Sequence, residues 1–117
     1  DTVSAKLEII TRADAAGVPV ISAMGAGNKL YPERFRITDI YKTETDPLAR
    51  VMRRELRSRG VRSLPVCWSD EPPARAAAAA PDPESGKIPP ASISFVPSAA
   101  GLIIAGWMVR RLIGLEN

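Results

Sequence analysis

Apolar residues at helical spacing predict that the chain opens with a helix over residues 2–16. Val3, Leu7 and Ile10 recur at i, i+4 and i+7, which places them on one face of a helix. Asp1 stands where an N-cap belongs, because an aspartate side chain accepts hydrogen bonds from the free amides of a first turn. The pattern therefore predicts a helix that packs one apolar face on a core.

A second helix, over residues 46–60, carries the strongest boundary signals. Asp46 is placed to cap it, Pro47 occupies the first helical position and Gly60 ends it. At 100° per residue, one face is apolar: Leu48, Val51, Met52 and Leu56. Four arginines lie almost opposite that face: Arg50, Arg53, Arg54 and Arg57. The helix is predicted to be strongly amphipathic.

Short apolar or alternating runs predict four strands: residues 18–24, 34–40, 62–69 and 92–96. The first is apolar on both faces, as a buried strand is, and the second alternates polar and apolar positions. Pro65 favours an edge position for the third, because proline cannot donate a hydrogen bond to a neighbouring strand.

The rest of the chain is a Pro/Ala-rich segment, 71–90, and a final helix, 97–115. The segment has low complexity and is predicted to be a mobile surface loop. The final helix is apolar nearly all round, which predicts that it is buried or lies between subunits. Helices alternate with strands along the chain, so the fold class is α/β.

Composition excludes several kinds of chemistry. The chain has 117 residues, one cysteine and no histidine. It therefore holds no intrachain disulfide, no cysteine zinc cluster and no histidine-based catalytic triad. Cys67 lies in an apolar run and is predicted to be a buried thiol rather than a nucleophile. A lone thiol, the charged start of the chain and the prolines within 88–109 favour a cytoplasmic protein without a membrane span.

The glycines at positions 25 and 27 raise the question of a phosphate-binding loop. Gly25-x-Gly27 follows a predicted strand but lacks a third glycine, and Pro32 falls where a helix would have to start. From the residues alone, this is a loop at a strand end in which glycines allow tight turning. Lys29, just after it, could reach an anion, but it is predicted to be a surface lysine.

Three separated blocks carry a family resemblance: "GAGNK", "DIYKTETDPLARVMRREL" and "ISFVPSAAG". With the flanking sequence, they closely resemble the tRNA threonylcarbamoyladenosine dehydratase family, which is related to the E1-like ThiF/MoeB/HesA adenylating enzymes. The resemblance covers nearly the whole chain except the Pro/Ala-rich segment. It implies the C-terminal half of a Rossmann-like E1-type adenylating domain, with a mixed sheet and packed helices.

The resemblance also implies a function and an incomplete chain. Family members use ATP and Mg²⁺ to adenylate the threonyl carboxylate of a modified tRNA base, which then cyclises. Their N-terminal half, which holds the glycine-rich nucleotide loop, is missing here, so no activity is expected from this chain alone. Two alternatives stay open: activation of a ubiquitin-like sulfur carrier protein, and a non-catalytic module that dimerises or binds RNA.

Individual residues gain expected roles from the resemblance. Asp1 resembles an aspartate that helps to hold magnesium, and Lys6 is a second candidate for contact with Mg-ATP. Four residues are expected to line the nucleotide cleft, which the first helix and the last helix would also border: Met24, Gly25, Gly27 and Lys29. Tyr31 stands where the family commonly has aspartate.

The arginine face and the last helix suggest partners. A solvated helix face and a tRNA-binding surface are both open explanations for Arg50, Arg53, Arg54 and Arg57, because clustered arginine is typical of nucleic-acid contact. The last helix is expected to form a homodimer, in which Gly101 and Ala105 would allow close helix approach.

Overall fold

The computed structural model of the protein describes residues 2–74, 81–86 and 91–115. In this part of the chain three helices and three strands form one α/β unit. In chain order they are α1 (Val3–Ala16), β1 (Ser22–Ala23), β2 (Phe35–Asp39), α2 (Pro47–Ser58), β3 (Pro65–Ser69) and α3 (Pro97–Leu112). Single 3-10 turns, Pro32–Arg34 and Ile40–Lys42, flank β2.

The three strands form a mixed sheet in the order β1-β3-β2. β1 runs parallel to β3, with Ser22 opposite Val66, and β2 runs antiparallel to it, with Ile37 opposite Cys67. The predicted edge position of β3 is therefore wrong, because β3 is the central strand. Pro65 is tolerated there as the first residue of the strand, where a missing amide does not interrupt the ladder.

Helices cover both faces of the sheet. Side chains alternate along β3, so Val66 and Trp68 pack with the α1–α2 core, whereas Cys67 packs with α3 on the other face. α1 and α3 thus lie on opposite faces. The expectation that both border one groove with the end of β1 is not met in the described residues. α1 reaches the end of β1 through Lys6 and Met24, and α3 approaches through Ala26.

The first two helices form where the sequence predicts them. Residue Thr2, not Asp1, occupies the position that precedes α1, and its side chain makes no capping hydrogen bond. Asp1 lies outside the described residues. Asp46 does cap α2: its Oδ1 accepts from the amides of Leu48 at 2.9 Å and Ala49 at 3.2 Å.

The predicted strand over residues 92–96 is wrong. Residues 94–96 form a turn that leads into α3, and the Val96 amide donates to the Ile93 carbonyl at 3.0 Å. Val96 is fully buried and has α-helical backbone angles, whereas Ile93 and Phe95 are exposed. Burial of one side chain against the sheet decides this conformation over the intrinsic β-propensity of the run.

The Pro/Ala-rich segment is described only in part, since residues 75–80 and 87–90 lie outside the described residues. Its predicted mobility stays a prediction. Its first residue, Glu71, is buried, and its carboxylate accepts from the amides of Leu30 at 2.8 Å and Tyr31 at 3.0 Å. The segment is therefore anchored where it begins.

α3 is far more exposed than a buried helix. Ala100 is its one fully buried residue, and Leu102 is 75% exposed. Burial within the chain is therefore wrong, and a contact between subunits stays a prediction. Among the residues that the structure describes, no helix has the length and hydropathy needed to cross a bilayer.

Candidate functional site

The carboxyl end of β1 brings a lysine from α1 to a strand end. The Lys6 ammonium donates a hydrogen bond to the carbonyl oxygen of Ala23 and lies 3.5 Å from the Ser22 hydroxyl. Burial lowers the pKa of Lys6, and the negative charge of Asp46 opposes that shift. A partly desolvated ammonium at the end of a strand in an α/β sheet is placed where such folds bind ligands.

Gly25 and Asp46 form the second part of the site. The Gly25 amide donates to Asp46 Oδ2 at 3.0 Å, so the chain after β1 is tied to the start of α2. A Cβ atom at position 25 would lie 3.3 Å from both carboxylate oxygens. Glycine at position 25 therefore allows this close approach, because a larger residue would require the Asp46 carboxylate to shift by a few tenths of an ångström.

Lys29 is buried, and the prediction that it is a surface lysine is wrong. Its side chain is 3% exposed, and its Nζ lies 4.0 Å from Asp46 Oδ2. A buried ammonium needs a nearby negative charge, and the fully buried Asp46 carboxylate supplies one. Sequence reasoning missed this pairing because the two residues are 17 positions apart.

The other residues expected to line the cleft have different surroundings. The Met24 side chain is buried in the core with Leu7 and Ile10, so it presents no open surface. Gly27 and Asn28 form a turn. Gly25 and Lys29 therefore share Asp46 as a partner, and the charge of Asp46 also acts on Lys6.

Asn28 joins the two ends of the Pro/Ala-rich segment, a role that the sequence did not reveal. Its carbonyl accepts from the Ala74 amide at 2.6 Å, its amide donates to the Ala91 carbonyl at 2.7 Å, and its side-chain oxygen accepts from the Ala91 amide at 2.9 Å. It has a φ of 58°, which asparagine adopts more readily than most residues. The available sequence signal was the pair Gly27-Asn28, since asparagine after glycine is typical of turns.

Two cavities are lined by the segments that precede and follow β1. One, of about 210 Å³, lies between residues 28–30, Ala74 and residues 91–93. The other, of about 360 Å³, lies beside residues 17–20, which precede β1. Residues of both α1 and α3 line it, and those from α3 are Trp107 and Arg111. The cavity that residues of both helices line therefore lies at the end of β1 that is remote from Lys6.

The arginine face of α2 is divided by its contacts. Arg53 is half-buried and donates to Thr43, and the Arg57 guanidinium lies 5.0 Å from the ring centre of Tyr41. Arg50 and Arg54 are exposed. All four arginines nevertheless line one open depression of about 730 Å³ on the outer face of the helix.

Clustered metal-ligating side chains are absent from the described residues. Within residues 2–74, 81–86 and 91–115, no group of three histidine, cysteine or acidic side chains is arranged to hold a metal ion. Mg²⁺ bound with a nucleotide needs only one or two carboxylates, because phosphate oxygens and water complete its shell. Asp1, the expected ligand, lies outside the described part.

Solved structures define the class of fold. The structure of Escherichia coli tRNA N6-threonylcarbamoyladenosine dehydratase in complex with AMP matches with a TM-score of 0.79 at 21% identity. The same enzyme in complex with ATP matches with a TM-score of 0.78 at 21% identity. Both matches cover 97% of this chain and 45–46% of the other. The described fold is thus about half of the fold of that enzyme.

Sequence relatives then identify the family. The chain is 40% identical to a tRNA threonylcarbamoyladenosine dehydratase of Bacillus subtilis over 97% of its length, and 35% identical to dehydratase 2 of Saccharomyces cerevisiae over 96%. It belongs to the tRNA threonylcarbamoyladenosine dehydratase family and matches the C-terminal part of its members. It spans 48% of the Bacillus protein and 29% of the yeast protein. No family model matches the chain.

Proposed function

We propose that this chain supplies the C-terminal half of an ATP-dependent tRNA threonylcarbamoyladenosine dehydratase. The observation that carries the proposal is the Lys6 ammonium at the carboxyl end of β1, in a fold whose relatives have been solved with ATP and AMP. ATP would make a carboxylate oxygen into a good leaving group, AMP, so that the modified base can close to a ring with net loss of water.

In this arrangement Lys6 is the residue of the chain that would contact the nucleotide. Its ammonium is held by one carbonyl oxygen and a distant hydroxyl, so it retains donor capacity for an anion. Its partial desolvation strengthens its attraction for negative charge. Asp1 would hold Mg²⁺, whose charge would offset that of the phosphates.

The proposed partner of α2 is tRNA. Arg50 and Arg54 project from the outer face, and the depression that they line with Arg53 and Arg57 is open enough to meet a phosphate backbone. Arg50 and Arg54 expose guanidinium groups that match phosphate geometry. Binding through such contacts weakens as salt is added, because each neutralised phosphate releases counterions.

The remaining half of the domain would complete the sheet at β1. In the described residues β1 pairs only with β3, so its other edge is free to accept a further strand. The Bacillus relative is about twice as long as this chain and the yeast relative more than three times as long, which leaves room for such a half. We therefore expect the isolated chain neither to bind Mg-ATP at micromolar concentration nor to form AMP. In a cell the complete protein would act in the cytoplasm, where tRNA is modified.

The experiment compares two lysine variants in the complete protein that contains this chain. Lys6→Met should weaken Mg-ATP binding by about tenfold or more, since a hydrogen bond to a charged group is lost. Lys42→Met is the matched control, because Lys42 is exposed and lies in the 3-10 turn after β2, which follows the end of β2 that pairs with the start of β3. Calorimetry measures both affinities. Equal affinities in the two variants would contradict the proposed role of Lys6.

Substrate class is tested separately. AMP release by the complete protein should require tRNA that carries N6-threonylcarbamoyladenosine, and a sulfur carrier protein should not replace it.

The Arg50→Gln/Arg54→Gln double variant should lower the slope of log affinity against log salt by about one to two, at ~0.7–0.9 per phosphate contact. A tRNA affinity that does not change with salt would argue against the arginine face.

A further inference from the structure

We propose that Asp46 is a positioning residue of the nucleotide site, which holds the segment from Gly25 to Lys29 against the end of β1. The inference rests on the proposed function, since it concerns the same site. It goes beyond a capping role, because one carboxylate connects the first turn of α2 with the chain that follows β1.

The two oxygens of Asp46 have different partners. Oδ1 accepts from the amides of Leu48 and Ala49 in the first turn of α2, and Oδ2 accepts from the Gly25 amide at 3.0 Å. An asparagine offers one acceptor oxygen, and its NH₂ group would face a backbone N–H on the other side. Capping alone would be satisfied by asparagine or serine, whereas serving both partners requires a carboxylate.

Lys29 gives the segment a second attachment. Its Nζ lies 4.0 Å from Asp46 Oδ2, and the two side chains are 3% and 0% exposed. Removing one partner from a buried charge pair leaves the other charge without compensation, which favours its movement toward water. The segment is thus fixed at its first residue by a hydrogen bond and at its last by charge.

The backbone before Asp46 is held in an unusual conformation. Thr45 has a φ of 67°, which a β-branched residue rarely adopts, and the Asp46 amide donates to the Glu44 carbonyl at 2.7 Å. The three residues form a tight turn of the γ type, which is uncommon with positive φ. This turn places the carboxylate between α2 and β1. Backbone strain of this kind persists where surrounding contacts maintain it.

The test uses two substitutions at Asp46 in the complete protein. Asp46→Asn and Asp46→Ser each keep a good N-cap for α2, but neither can also serve Gly25 and Lys29. Asp39→Asn is the matched control: Asp39 also caps a helical turn, by accepting from the Tyr41 amide at 3.0 Å, but it lies at the other end of the sheet. Circular dichroism establishes that each variant is folded.

Two measurements follow the position of the segment and its consequence. Hydrogen exchange at the Gly25 amide should become about tenfold faster in both Asp46 variants, because a bond to a charged acceptor is lost. Mg-ATP affinity of the folded protein should fall by about tenfold, although the amides of α2 keep their protection. The Asp39→Asn control should change neither quantity.

The outcomes separate this inference from the proposed function. If the wild type binds Mg-ATP and both Asp46 variants bind it equally well, the positioning role is overturned and the proposed function stands. The role is also overturned if exchange at Gly25 is unchanged. If the wild type fails to bind Mg-ATP, the proposed function is overturned, and with it the site that Asp46 would position.

Discussion

The Arg53 guanidinium is bonded twice to Thr43: it donates to the carbonyl oxygen at 3.0 Å and also to the hydroxyl. Thr43 is itself buried at the end of the 3-10 turn before α2. One member of the arginine face therefore stabilises the fold, whereas Arg50 and Arg54 are exposed, and Arg54 forms a surface ion pair with Glu55 at 3.7 Å.

Arg53→Ala should destabilise the protein by about 2 kcal/mol, because it removes two hydrogen bonds from a charged donor and leaves the Thr43 carbonyl with fewer partners. Arg50→Ala should change the unfolding free energy by less than about 0.5 kcal/mol, as is usual for an exposed position. Urea denaturation measures both. Equal losses in the two variants would show that the contacts with Thr43 contribute no stability.

Gly25→Ala and Gly101→Ala should have opposite effects. The new methyl group at position 25 would lie 3.3 Å from both oxygens of Asp46, so it should cost about 1–3 kcal/mol through strain or loss of the hydrogen bond. At position 101 nothing lies within 4 Å, and alanine should stabilise α3 by about 0.5–1 kcal/mol. Thermal unfolding of both variants checks the signs, and a stabilising Gly25→Ala would contradict the structure.

Lys6 should make stability rise with pH in the alkaline range. Its folded pKa is lowered from the usual 10.5 by burial, so between the two values the unfolded chain binds more protons than the folded one. The unfolding free energy of wild type should therefore increase relative to Lys6→Met as pH rises toward 10.5. Burial raises the pKa of Tyr41, which lowers stability above pH 10, but this effect cancels in the comparison. A difference that is constant from pH 7.5 to 10.5 would refute the lowered pKa.

The Cys67 thiol should be unreactive in the folded protein. It is 1% exposed, and burial raises its pKa to about 11, so almost no thiolate is present at neutral pH. Modification by a thiol reagent at pH 8 should be limited by unfolding and should accelerate with urea in proportion to the unfolded fraction. Rapid stoichiometric labelling without denaturant would be inconsistent with this burial.

The exposed apolar residues of α3 predict self-association. Leu102, Val109 and Leu112 are each more than half exposed, and a monomer in water would gain by covering them. Leu102→Asp should shift the protein toward a smaller species in sedimentation velocity. Ser98→Asp is the control, since it adds the same charge at an exposed position one turn earlier. An oligomer of unchanged size in Leu102→Asp would exclude this face as the interface.

Local signals were sufficient for the helices. Pro47 and Asp46 define the start of α2 through interactions within one turn, and the apolar spacing of α1 follows from the geometry of a single helix. The conformation and order of the strands, in contrast, depended on the strands and helices against which they pack. Residues 92–96 have strand-like composition, yet burial of Val96 against the sheet made residues 94–96 a turn. Pro65 suggested an edge because proline lacks an amide, but sequence cannot show which strands lie on either side.

The sequence by itself determined the α/β class, the bounds of two helices and, through its motifs, the family, because these depend on neighbouring residues or on patterns retained in order along the chain. Only the tertiary structure showed that Lys29 is buried and that Asp46 serves both α2 and Gly25. Burial and charge pairing depend on which distant residues approach one another, and residues 25 and 46 meet only after β1 and α2 have packed in the same fold.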